Sequence, residues 1–82
     1  MKLKEYMEKH DLKPNDMAAK IIKAADSDLS LSGVAVRHWA SGSRMPGTIL
    51  INLIIKATNG AVKANDLHLA CVEYQAMTEA AE

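Results

Sequence analysis

The chain has 82 residues, 49% hydrophobic and 24% charged. That suits one globular domain spanning 1–82 and excludes a disordered, collagen-like or disulfide-rich chain. Cys71 has no partner for an internal disulfide, and no apolar run reaches the roughly 18 residues of a membrane span. Ten Lys and Arg against ten Asp and Glu leave no net charge to draw the whole chain toward a polyanion. The opening Met1-Lys2-Leu3-Lys4-Glu5 lacks the apolar stretch of a secretion leader, so a reduced, cytoplasmic protein is expected.

Aromatic residues are few, namely Tyr6, Trp39 and Tyr74 with no Phe, so aliphatic side chains, Met and Ala must fill the core. Helical periodicity recurs in blocks separated by turn residues and predicts an all-α fold of five helices. The first runs from about Lys2 to Lys9 with Leu3, Tyr6 and Met7 on one face, and Leu12 packs beneath its end. The second opens at Pro14 to Asp16, where Pro suits the first helical position and an acid suits the positive end of the helix dipole. Its inner face is Ala18, Ile21, Ile22 and Ala25, with Lys20 and Lys23 turned to water and Asp26-Ser27-Asp28 as its end.

The third helix starts at the N-cap residue Ser32 and stops at Ser41-Gly42, giving a span of about 32–41. At about 100° per residue, Ala35, Val36 and Trp39 share one side, and Gly33, Val34, Arg37, His38 and Ser41 the other. Val34 on that second side gains nothing from water. Either it meets a ligand or it packs against the second helix.

The fourth helix runs from about Thr48 to Asn59 and is apolar over well over half its circumference, which predicts a central position. The fifth, about 65–81, carries a main seam of Leu67, Ala70, Cys71, Tyr74 and Met77 and a second seam of Leu69, Val72 and Ala76. Two seams on one terminal helix predict that one enters the core and the other meets a second subunit. Leu69, Val72 and Ala76, with the surplus Ile51 and Ile55, are the candidate homodimer interface.

The zero net charge hides a segregation. Residues 1–28 are balanced. Residues 29–65 carry Arg37, Arg44, Lys56 and Lys63 with no acid, and residues 66–82 carry Asp66, Glu73, Glu79 and Glu82 with no base. An acid-free middle is suited to meeting phosphate.

Within that middle, Leu31-Ser32-Gly33-Val34-Ala35-Val36-Arg37-His38-Trp39-Ala40-Ser41-Gly42-Ser43-Arg44-Met45-Pro46 closely resembles the recognition half of the Cro/cI, lambda-repressor-like helix-turn-helix family. The family pattern there is V-S-x-x-A-V-x-x-W-x-S-G-x-R-x-P. The later Ile54-Ile55-Lys56-Ala57-Thr58-Asn59-Gly60-Ala61-Val62, followed by Asp66-Leu67, is similar to the ending of small phage Cro proteins and Cro-like repressors or antitoxins. The matches cover about residues 31–67. The resemblance implies a compact lambda-repressor-like domain whose third helix reads the major groove of double-stranded DNA as part of a homodimer. It also implies a phage or prophage repressor working in a bacterial cytoplasm or nucleoid.

On that basis Arg37 donates to guanine, His38 to a base acceptor or a phosphate, and Val34 meets a thymine methyl. Gly33 allows close approach, while Ser32, Ser41, Ser43 and Arg44 fix the protein on the phosphate backbone. Asn15 and Lys20 are further candidate phosphate contacts. The chain departs from the family between Ala19 and Ser32, where several residues are inserted. The second helix is then longer, or the turn is a true loop pinned by Leu29 and Leu31. The usual Gln at the start of the second helix is replaced by Pro14 or Asn15.

Other chemistry finds little support. His68 and Cys71 sit three apart on a helix, but a zinc site needs three or four ligands and nothing completes the set. No phosphate loop, acid pair or nucleophile motif is present, so no enzyme, cofactor, metal or small-molecule ligand is expected. The competing function is a small helical protein-binding module, such as an antitoxin, an inhibitor or a polymerase-binding factor, in which the helix-turn-helix is only a scaffold.

Overall fold

In the computed structural model, residues 1–25 and 29–80 are described, with the side chains of residues 79 and 80 left aside. Among them five helices are formed: α1 (Leu3–Lys9), α2 (Pro14–Ala25), α3 (Gly33–Ser41), α4 (Thr48–Ala57) and α5 (Ala64–Ala80). The described chain is all-helical.

Local chemistry sets most of the boundaries. Both α2 and α5 are opened by a Lys-X-Asn-Asp tetrapeptide, Lys13 to Asp16 and Lys63 to Asp66. In each, the Asp carboxylate reaches back to accept the Lys backbone N–H, at 3.0 Å for Asp16 and 2.9 Å for Asp66. This satisfies an orphan donor and places negative charge at the positive end of the dipole. The Lys63 N–H holds the Asp66 carboxyl below its ordinary pKa, helped by the Met1 ammonium 3.1 Å away and opposed by slight burial. The α1 helix ends on Asp11 in the left-handed region, with Leu12 N–H returning to Met7 O at 2.8 Å.

The α4 helix ends at Ala57, two residues before the expected Asn59. Thr58 is the C-cap, and Asn59 and Gly60 are both left-handed, with φ of 53° and 82°. Buried Thr58 ties this turn together: its Oγ1 donates to Ile54 O at 2.8 Å and accepts from Val62 N–H at 3.2 Å. Thr58→Val keeps the shape and leaves the Val62 N–H without its partner. It is expected to cost about 1–3 kcal/mol, measured as the shift in urea midpoint.

The core is Leu3, Tyr6, Met7, Met17, Ala18, Ile21, Val36, Trp39, Ile54, Val62 and Leu67, with Leu12, Leu29 and Leu31 packed on its edge. The expected central role of α4 is corrected here. Only Ile54 of α4 is fully buried, Ile49 is 76% exposed, and Thr48, Asn52 and Lys56 form a solvent face. The helix at the centre is α3, which packs against α2, α5 and α1, whereas α4 packs against α2 and α5. Apolar composition alone misplaces α4, because short helices around one small core leave part of each circumference uncovered.

The main seam of α5 is corrected too. Leu67 and Ala70 are buried and Cys71 is half-buried, but Tyr74 is exposed and Met77 is 67% exposed. Seventeen residues span about 25 Å, more than the core can cover, so the helix runs past its end. The inserted region resolves into an α2 that continues to Ala25 and a non-helical approach to α3 in which half-buried Leu29 and Leu31 pack on the core. The expected stop at Asp26-Ser27-Asp28 lies outside the described residues. None of the helices in the described chain is long and apolar enough to cross a membrane.

Candidate functional site

The α3 helix is docked by its back. Val36 and Trp39 are buried, Ala35 is half-buried, and the opposite face carries Val34, 55% exposed, with exposed Arg37 and half-buried His38. More than half of the Val34 side chain therefore stays uncovered. Ser32 caps the start, its Oγ accepting Ala35 N–H at 3.4 Å, and Gly42 caps the end with φ of 89°.

Gly33 corrects the expected face assignment, because it is buried rather than presented. A Cβ placed there would fall 2.0 Å from Asn15 Oδ1 and 2.9 Å from Asn15 N. Its missing side chain lets the N-terminal ends of α2 and α3 meet. The close approach that Gly33 permits is to another helix.

The two helix starts border a shallow groove lined by Lys13, Pro14, Asn15, Gly33, Val34 and Arg37. The start of α3, the Lys13 ammonium and the Arg37 guanidinium border it, positive charge that favours an anion, while Asp16 already occupies the start of α2. Asn15 belongs to this groove. Lys20 does not: it lies about 140° around α2 from Asn15, exposed on the other flank. Lys13 is a groove residue that the sequence reading missed, since the balanced charge of residues 1–28 hides any single lysine. Its signal was the Lys13-Pro14 step that opens α2.

Past α3 the chain forms a small polar knot. His38 O accepts from Gly42 N–H at 3.0 Å and from Arg44 N–H at 3.4 Å. Ser43 Oγ lies 2.9 Å from His38 Nδ1, and Ser41 Oγ lies 3.2 Å from Ser43 Oγ. The two serines thus bond within the knot. Arg44 is exposed, and neither it nor Arg37 has a carboxylate partner among the described residues. No acid lies between residues 29 and 65 to offset them.

The candidate subunit interface draws on α4 and α5. Leu69, Val72 and Ala76 are exposed on the side of α5 opposite buried Leu67, and Ile51 and Ile55 are half-buried on α4. Cys71 Sγ rests 4.0 Å from Met45 Sδ and His68 is exposed. Among the described residues no group of three metal-ligating side chains forms. Compared with protein families, characterised proteins and solved structures, the chain matches none.

Proposed function

We propose that this protein is a sequence-specific DNA-binding transcriptional regulator, a repressor of the lambda-repressor-like kind, in which α2 and α3 form a helix-turn-helix. One observation carries the reading. The α3 helix is anchored by Val36 and Trp39, while exposed Val34 and Arg37 and half-buried His38 lie on its other side, in a stretch of sequence without acids. A recognition helix needs that combination, because a few side chains must reach base edges at an angle that the core holds. The groove between the helix starts adds a place for a backbone phosphate, held by Lys13, Asn15 and the N–H groups at the start of α3. The sequence resemblance over residues 31–67 points the same way and suggests a phage or prophage source.

The unit is a homodimer in this reading, joined through Leu69, Val72 and Ala76 with Ile51 and Ile55. Two recognition helices then read half-sites about 34 Å, or about 10 base pairs, apart. Selection from randomised duplex DNA tests the reading. An enriched palindrome with half-sites one helical turn apart is the expected result.

Arg37→Ala is expected to weaken the selected duplex by about 1–3 kcal/mol and to relax preference at one base pair. Arg44→Ala is expected to weaken all duplexes alike and to flatten the salt dependence by about one phosphate. Anisotropy titrations against single-base variants measure both. Uniform losses for Arg37→Ala would move that side chain to the backbone class.

A second reading, a protein-binding module, is favoured by the exposed Ile49, Leu69, Val72 and Met77. If folded protein enriches no duplex at low salt, this second reading takes over.

A further inference from the structure

The knot at the end of α3 has more hydrogen-bond donors than a helix end requires. His38 O has two lone pairs, and the Gly42 and Arg44 N–H groups supply two donors. Both serine hydroxyls also lie near that carbonyl, Ser41 Oγ at 3.1 Å and Ser43 Oγ at 3.3 Å. With both lone pairs of the carbonyl met by N–H groups, the hydroxyl protons have a second path. Ser43 N–H donates to Ser41 Oγ at 3.4 Å, Ser41 O–H can donate to Ser43 Oγ at 3.2 Å, and Ser43 Oγ lies 2.9 Å from His38 Nδ1, within reach of its own proton. Each proton is then used once, and the chain ends on the shortest of these contacts. On that path Nδ1 is the acceptor and the ring proton belongs on Nε2.

We propose that Ser41 and Ser43 are positioning residues that lock His38 in its Nε2–H form, so that α3 presents a fixed hydrogen-bond donor one position along from Arg37. The proposal rests on the DNA-binding reading. In the major groove a donor of this kind donates to N7 or O6 of guanine, N7 of adenine or O4 of thymine. It rejects cytosine, whose edge offers only the N4 donor. His38 is thus a discriminator against one base, and the two serines act through it rather than on phosphate.

The test has two arms. The first uses 15N-labelled full-length protein without DNA at about pH 8 and reads the ring nitrogens by long-range 1H–15N correlation. Nε2–H is expected in the wild type and a tautomer mixture in Ser43→Ala, with Ser43→Thr restoring the wild-type pattern. The second arm compares duplexes selected by the same three proteins, each checked for folding by circular dichroism.

Ser43→Ala is expected to lose about 2- to 10-fold of the discrimination against cytosine at one position. Other positions and the salt slope stay unchanged. A wild-type ring protonated on Nδ1 overturns the proposal. So does a Ser43→Ala protein that weakens every duplex equally with a flatter salt dependence, which would place Ser43 on phosphate. If no duplex is enriched, the DNA-binding reading and the base preference fall together, while the ring spectrum still decides whether the serines set the tautomer.

Discussion

Gly42→Ala is expected to cost about 2–5 kcal/mol of folding stability, out of the roughly 4–12 kcal/mol available to a domain of this size. Two effects add. Gly42 sits at φ of 89°, where a side chain costs about 1–2 kcal/mol. A Cβ there would also fall 2.1 Å from Ala70 O and 2.5 Å from Ala70 C. Those are backbone atoms of α5 and cannot swing aside like a flexible side chain, so α3 and α5 must separate, at about 1–3 kcal/mol.

Gly60 supplies the control. It has nearly the same conformation, φ of 82°, but nothing lies within 4 Å of its added Cβ. Gly60→Ala is expected to cost only the conformational part. Urea denaturation of both variants, followed by circular dichroism, gives the contact contribution as a difference. Equal costs would mean that α5 does not rest on the end of α3.

The second large effect is expected at Trp39. This residue is 6% exposed and lies in the core cluster on the buried side of α3. Trp39→Ala removes the largest side chain that holds the helix from behind, and truncations of this kind cost about 3–5 kcal/mol. Much of the stability of the domain goes with it.

The functional consequence separates Trp39 from Arg37. Loss of Trp39 is expected to reduce affinity for all duplexes in step with the unfolded fraction, whereas loss of Arg37 changes the base preferred in a folded protein. Far-ultraviolet circular dichroism at the titration temperature distinguishes them, since the fluorescent reporter is itself removed. A cost below about 1.5 kcal/mol, as for volume-conserving core exchanges, would show that α3 is held mainly by its other contacts.

Much of the helix layout was legible in local chemistry, because caps and turns depend on residues a few positions apart. Ser32 and Gly42 bound α3 as their types predict, and Pro14 opens α2. The one-sided burial of Val36 and Trp39 followed from helical spacing, and the exposed Val34 and Arg37 followed from the same count. The absence of acid from residues 29–65 is a property of the sequence and needs no coordinates.

What only the tertiary structure decided is which helix faces are covered. Hydropathy made α4 central, yet coverage depends on neighbours, and α3 has them on three sides while Ile49 and Met77 are left in solvent. Gly33 and Gly42 read as a helix start and a helix cap, which are local roles. Their closest approaches, to Asn15 and to Ala70, join residues 18 and 28 positions apart in the chain. The groove containing Lys13 arises the same way, from two helix starts remote in sequence and adjacent in space. Short-range hydrogen bonding can be read along a chain, but packing needs the partner surface, and that surface exists only once the helices have met.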